Sequence, residues 1–370
     1  MSIYSPQDPV NPEYFAGRNE VLKKLKKIMT DSVLGKAENA EIHGLRGIGK
    51  TSLVNKLIGE APEKCFTLYY AAEEEDEKSF VDNILQKMDI EYKNNLTKYR
   101  KVLERLRNFP EKINELSVAE ISIALKRDEK TPKIAFAEGI LKLRSRGFSS
   151  CYLFIDEADA LTDKTLQMIR NVIQEIRNVQ RFPVGVVVSG KQDLLKRLTD
   201  KLSPIARFFA TVGYELPPLS EVETRDALTL PVKTLSVTWD EEAISFVYEK
   251  SRGYPFVVQL YGKFALELVR SAHIKEKDMA AVHASVVKEM GAMYENEWKK
   301  EPSETELKVL VRLAKTGTPI KYTNIKVAGK MVSGVILRRL IEKGCLSQDE
   351  TRDEYYFAHP LIQEYLLGKN

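Results

Sequence analysis

Long apolar runs are missing from this chain. Its most apolar stretch, residues 254–269, is interrupted by Gln259, Lys263 and Glu267 and falls short of the roughly 20 apolar residues that a membrane-spanning helix needs. Residues 1–11 hold no Lys or Arg followed by an apolar run, so no secretory signal is expected. Cysteine is scarce. Cys65, Cys151 and Cys345 are odd in number and widely spaced, and Cys151 opens the apolar run Cys-Tyr-Leu-Phe-Ile. Reduced core residues in a cytoplasmic protein are therefore expected. The four histidines, His43, His273, His283 and His359, make no metal-ligand spacing with these thiols, which speaks against a zinc site. No charge of one sign dominates either, with 57 Lys and Arg against 53 Asp and Glu. There is no internal repeat at solenoid periods and no low-complexity segment. With 43% hydrophobic and 30% charged residues in 370, the composition excludes a disordered or fibrous chain, and the length implies two or three domains.

Between residues 40 and 215, short β-branched and aromatic runs alternate with stretches of helical spacing, the pattern of a parallel sheet covered by helices. The expected strands are residues 40–43, 66–71, 150–155, 184–188 and 209–214. After Pro217-Pro218 the strand signals stop, and residues 221–298 read as helices broken near Pro231 and at Gly253-Tyr-Pro255. Glu301-Pro302-Ser303 opens a third unit: a helix from 304 to 315, a short segment over 322–330, a helix from 331 to 343, and two short strands at 345–348 and 354–358. Helix, helix, helix, hairpin is the order of a winged helix. The expected domains are thus residues 1–218, nucleotide-binding; 219–300, a helical lid; and 301–370, a winged helix. Residues 90–147 are the least readable, with helical spacing at 97–115 and weak strand alternation at 118–124. Charge concentrates near the end of the chain. Residues 307–345 carry nine basic residues against the single acid Glu342, a net of +8.

Gly44-Leu-Arg-Gly47-Ile-Gly49-Lys50-Thr51-Ser52 follows an expected strand and opens a helix, which is the setting of a phosphate-binding loop. Its glycines let backbone amides close around phosphate oxygens, and the helix N-terminus adds partial positive charge. Lys50 is expected to reach the β and γ phosphates and Thr51 to ligate magnesium. Tyr152-Leu-Phe-Ile-Asp156-Glu157 ends a buried strand in two acids, where the ligand crevice of a parallel sheet lies. Asp156 is expected to hold magnesium through water, and Glu157 to orient and deprotonate the attacking water; an acidic cap for the next helix is compatible with both. ATP or GTP binding with Mg2+ follows. These residues do not choose between adenine and guanine.

With these motifs in place, the sequence resembles the AAA+ ATPases, in the branch shared by STAND signalling ATPases, archaeal-type predicted ATPases and origin-recognition-type initiators. The resemblance runs from Tyr14 to Leu367. Phe15-Ala-Gly-Arg18-Asn-Glu20 is similar to the family box beside the adenine, which implies ATP/ADP and places Phe15 and Arg18 at the nucleotide. On its own spacing, Phe15 is equally a hydrophobic staple ahead of the next helix. Ser189, ending Val186-Val-Val-Ser189-Gly190, resembles the sensor-1 position, where the family often has Asn or Thr; a strand-end turn is the alternative. Arg207, in Ala-Arg207-Phe-Phe, resembles an arginine finger acting on a neighbouring subunit, which implies self-association, with Arg197 a nearby competitor. Ser251-Arg252-Gly253-Tyr254-Pro255 resembles the Gly-x-Pro motif by which a STAND lid contacts nucleotide, whereas the initiators carry an Arg-rich sensor-2 helix there.

Tyr355-Tyr-Phe-Ala-His359-Pro360 resembles the closing strand of the family's winged domain, with His359 structural. Val332, Ile336, Leu337, Leu340 and Ile341 share one helical face, leaving Lys330, Arg338 and Arg339 as phosphate or base contacts if the helix enters a major groove. The expectation is an α/β protein with a five-stranded parallel P-loop (AAA+) sheet, a helical lid and a winged helix. It would be a slow ATPase switch acting on duplex DNA, or alternatively a STAND-like switch acting on a separate effector protein. The basic third helix favours the first and Gly-x-Pro the second.

Overall fold

The computed structural model describes residues 3–94, 131–190, 194, 207–209, 213–298, 302–349 and 353–368. The chain divides into two compact units, one of Arg18–Gly44 with Lys50–Leu216, the other of Met1–Gly17, Leu45–Gly49 and Pro217–Asn370.

The first unit holds the parallel sheet. Its strands are β1 (Ala40–His43), β2 (Cys65–Ala71), β3 (Ser150–Asp156), β4 (Val184–Gly190) and β5 (Gly213–Glu215), in the spatial order β2-β3-β4-β1-β5 with every pair parallel. Every residue of β3 and β4 is buried. Helices on both faces leave no solvated side, so these strands read as continuous apolar runs rather than alternating ones. Around the sheet lie α1 (Asn19–Val33), α2 (Lys50–Gly59), α3 (Glu77–Asn94), α4 (Pro132–Ser145) and α5 (Asp163–Glu175). Thr162 caps α5 by accepting from the Thr165 amide at 3.1 Å. Tyr152 spans the layers, its hydroxyl donating to Glu38 O at 2.7 Å, and Gly185 leaves room for its ring: a Cβ there would lie 2.2 Å from it. Cys65 and Cys151 are buried here.

The fifth strand shifts. Phe209, expected to open it, is helical together with Arg207 and Phe208, and the strand is only Gly213–Glu215; residues 210–212 lie outside the described residues. The Phe208-Phe209 pair has high strand propensity, but both rings are buried against the sheet core, and Asn39 Nδ2 donates to Phe208 O at 2.6 Å. Tertiary packing overrides the local preference. The expected helix at 97–115 and strand at 118–124 also lie outside the described residues.

The second unit is built on α6 (Glu221–Thr229), α7 (Glu241–Ser251), α8 (Pro255–Leu268), α9 (Met279–Trp298), α10 (Glu304–Thr316), α11 (Gly334–Glu342) and α12 (Pro360–Gly368). Ser220 with Glu223, and Ser303 with Glu306, form capping boxes that start α6 and α10. One continuous apolar core runs from Tyr4 through Val257 and Val286 to Leu310, Leu337 and Leu361. Tyr4 is fully buried and its hydroxyl donates to Leu228 O, so the N-terminal segment is anchored in this unit. Gly291 of α9 meets Tyr365 of α12, where a Cβ would come within 2.1 Å of the ring.

Near the C-terminus, β9 (Leu346–Asp349) pairs antiparallel with β10 (Glu354–Phe357), which pairs with β6 (Ile320–Lys321). No α-helix occupies the middle position. A 3-10 turn at Tyr322–Asn324 leads into a two-residue hairpin between β7 (Lys326–Val327) and β8 (Lys330–Met331). Ala328 and Gly329 both have positive φ, 49° and 77°, the backbone of a tight hairpin turn whose twist suits the flanking strands. That hairpin takes up Met331, so α11 starts later than the spacing suggests, with Ser333 accepting from the Val335 amide at 3.3 Å.

Candidate nucleotide site

The loop from Gly44 to Lys50 joins the end of β1 to the start of α2. Gly47 and Gly49 take φ of 78° and 94°, a region costly for residues with a Cβ. A Cβ at Gly49 would meet nothing within 4 Å among the described residues, so the backbone there borders open space of the kind an anion could fill. Lys50 Nζ donates to Gly44 O at 2.9 Å, folding the cation over its own loop. Ser52 follows Thr51 in the first turn of α2.

The functional side chains converge on Asp156, the last residue of β3 and 4% exposed. Its Oδ2 accepts from Thr51 Oγ1 at 2.6 Å and from the Tyr69 hydroxyl at 3.0 Å. Its Oδ1 accepts from Ser189 Oγ at 2.5 Å and from the Glu157 amide at 3.0 Å. The sheet causes this meeting. Ile155 is in register with Val188, and Ala71 with Asp156, so the C-terminal ends of β2, β3 and β4 deliver Tyr69, Asp156 and Ser189 to one place. Glu157 turns out of the strand in left-handed backbone, φ 53° and ψ 36°, and its side chain is exposed. Non-glycine residues held in that region concentrate at functional sites.

A hydroxyl and a carboxylate are hard oxygen donors, the class that suits Mg2+. Among the described residues no group of three or more His, Cys, Asp or Glu is placed to hold a metal. A cation here would thus have few protein ligands, as Mg2+ sites with phosphates usually do. Thr51 and Asp156 fit that group.

Tyr69 was not expected from the sequence. In Cys-Phe-Thr-Leu-Tyr69-Tyr-Ala every position reads as core, and the only available signal was a tyrosine where phenylalanine would pack equally well. Burial first, and the neighbouring Asp156 second, push its phenol above the ordinary tyrosine range. At the end of β1, His43 Nδ1 lies 2.9 Å from Oε2 of the fully buried Glu41, and that bond raises its pKa.

The remaining expected residues sit elsewhere. Arg18 is buried at the N-cap of α1 with φ 62°. Phe15 is half-buried after a 3-10 turn at Pro12–Tyr14, and Gly17, not Phe15, precedes the cap. Arg207 is exposed; Arg197 lies outside the described residues. None of Phe15, Arg18 and Arg207 is among the donors to Asp156.

Within the second unit, which includes Leu45–Gly49, the Tyr254 hydroxyl donates to Arg46 O. Pro255 is the first residue of α8, where its missing amide costs nothing. Gly253 has φ 71°, and a Cβ there would lie 1.9 Å from Leu219 O, so only glycine fits. The Tyr254 ring meets His359 edge-on at 4.8 Å. His359 is 4% exposed, its Nδ1 accepts from the Leu361 amide at 3.2 Å, and its Nε2 has no partner among the described residues. Lys330, Arg338 and Arg339 are all exposed, as are Lys321 and Lys326. Val332, Leu337 and Leu340 are buried behind them. Among the described residues no helix is long and apolar enough to cross a membrane.

Residues 35–198 match the AAA domain family. Over 97% of its length the chain is 22% identical to an uncharacterized HTH-type transcriptional regulator of Methanocaldococcus jannaschii, covering 90% of that protein. The Walker-type ATPase PABY2304 of Pyrococcus abyssi superimposes with a TM-score of 0.67 at 14% identity, covering 99% of both chains. The ORC2 protein of Aeropyrum pernix, in ADPNP–ADP complexes, gives 0.62 at 14%, covering 95% of this chain and 94% of that one. At such identities the likeness is one of fold, which this chain shares with the Pyrococcus abyssi and Aeropyrum pernix proteins.

Proposed function

We propose that this AAA+ P-loop protein is a slow ATPase switch, which assembles in its ATP form and acts on duplex DNA through a winged helix formed by residues 301–370. The observation that carries the nucleotide half is the 2.6 Å hydrogen bond from Thr51 to Asp156. It joins the end of the phosphate loop to the end of β3, the two places from which an ATPase must hold one metal ion and one triphosphate. The Aeropyrum pernix protein with the same fold was captured as ADPNP–ADP complexes.

In this reading the amides of Gly44, Gly47 and Gly49 cradle the phosphates, and Lys50 moves from Gly44 O to the β and γ phosphoryl oxygens. Thr51 and Asp156 would hold Mg2+, which supplies charge neutralisation at the phosphates when bound. Glu157 orients the attacking water and takes its proton, and Ser189 reports on the γ-phosphate through the Asp156 carboxylate it already touches. Phe15 and Arg18 flank the adenine. Arg207 reaches the ATP of a neighbouring copy. Residues 219–300 act as a lid, in which Pro255 starts α8 beside the nucleotide.

The DNA half rests on charge and exposure. Lys330, Arg338 and Arg339 are exposed on a segment of net charge +8, and phosphate neutralisation by such residues dominates affinity for duplex DNA. The Methanocaldococcus relative is described as an HTH-type transcriptional regulator. The test is the steady-state ATP hydrolysis rate at fixed, moderate salt, with and without duplex DNA. A DNA-dependent rate that disappears in Arg338→Ala/Arg339→Ala supports the reading, and a rate indifferent to DNA removes its DNA half.

A second reading is favoured by the contact of Tyr254 with Arg46 O. A lid residue that touches the phosphate loop suits a STAND-like switch whose output is a separate effector protein. A salt series separates the two, because DNA affinity falls nearly linearly in log salt whereas capture of a protein through an apolar face does not.

A further inference from the structure

We infer that Tyr69 is an exchangeable donor that occupies the place of a metal-bound water on Asp156 and so sets the affinity of the site for Mg2+. This inference rests on the proposed nucleotide reading and deepens it. A carboxylate offers about four lone-pair positions, and Asp156 has four donors, two on each oxygen. A hydrated Mg2+ keeps several waters, and each is a hydrogen-bond donor. One reaching Asp156 must therefore displace a donor already there.

The four donors are not equally movable. The Glu157 amide is backbone of the adjoining residue. Ser189 is 1% exposed and bonded at 2.5 Å, so its hydroxyl has no alternative at low cost. The Thr51 oxygen would hold the metal, and its proton is directed at Asp156. Tyr69 is half-buried, bonds at 3.0 Å and presents its hydroxyl at the end of a long side chain. Its ring can tilt while its backbone stays paired in β2.

The test is Tyr69→Phe, which keeps the ring and removes the competing hydroxyl. ADP binding is followed by calorimetry while Mg2+ is titrated, and again in EDTA. The Mg2+ concentration giving half-maximal enhancement of ADP binding is expected to fall about three- to tenfold in the variant, the net scale of one hydrogen bond. ADP affinity in EDTA stays at the wild-type value, and the thermal midpoint falls by no more than the loss of one half-buried hydrogen bond requires. An unchanged or raised Mg2+ requirement, with wild-type ADP binding still Mg2+-dependent and that dependence lost in Asp156→Asn, overturns the role of Tyr69 alone. Wild-type ADP binding indifferent to Mg2+ removes the metal site, and this inference with it.

Discussion

Ser189 and Asp156 are 33 residues apart in sequence, yet the Ser189 hydroxyl donates to Asp156 Oδ1 at 2.5 Å, both side chains being buried at the ends of adjacent strands. Deleting that hydroxyl leaves the buried carboxylate one donor short. Ser189→Ala is expected to cost about 1–3 kcal/mol of stability, measured by denaturant unfolding. It should also lower kcat for ATP with little change in KM. Wild-type stability and turnover together would show that the bond has no consequence.

Glu157 is exposed and stands in left-handed backbone next to that carboxylate. Glu157→Gln keeps the shape and removes the base. It should bind ATP as wild type does and hold it unhydrolysed, with turnover down about 10²-fold or more. Single-turnover hydrolysis at the wild-type rate would assign the base to another residue.

How much of this site was legible depends on which residues are fixed by backbone and which by packing. Gly47, Gly49, Lys50 and Thr51 could be placed from spacing because a phosphate loop is a backbone device with set positions for glycine. Asp156 could be placed because a buried strand that ends in acids is rare. Tyr69 could not, since a hydroxyl aimed across strands is invisible in an aromatic run. The Lys326–Met331 hairpin was equally hidden, because Ala328 gives no sign that it takes φ 49°. Phe209 reads as the start of a strand, and only the core that receives its ring makes it helical.

Arg207 is exposed, as a residue acting on another copy must be. Arg207→Ala should retain ATP binding and lose most turnover, an arginine finger being worth roughly 10³ to 10⁵ in rate. Mixing it with Lys50→Ala protein is expected to restore part of the activity, because each intact Arg207 then faces an intact ATP site. Absence of any rescue would make the arginine intramolecular.

His359 supplies a pH dependence of known sign. Burial, with Arg252 adding, pulls its pKa from 6.5 down to about 3, so the folded state binds this proton less readily than the unfolded one. The histidine therefore costs nothing above pH 6.5, and stability falls as pH drops below it, by up to about 1.4 kcal/mol per pH unit until carboxylates also titrate. His43, whose pKa is raised, has the opposite sign, so the comparison must isolate one residue. His359→Asn retains an acceptor for the Leu361 amide and removes the titration. The difference in unfolding free energy between wild type and this variant should be flat above pH 6.5 and move in the variant's favour below it. A flat difference down to pH 4.5 would contradict the buried, neutral imidazole.

The central claim is that the Gly44–Thr51 loop and Asp156 form one nucleotide site, and equilibrium binding of ATP in the presence of Mg2+ tests it most directly. Calorimetry on wild type and on Lys50→Ala suffices. The account predicts saturable binding by wild type and a loss of about 10²-fold or more in the variant, since an ammonium that contacts two phosphates is removed from a partly buried loop. Equal affinities, or no binding by wild type, would contradict it.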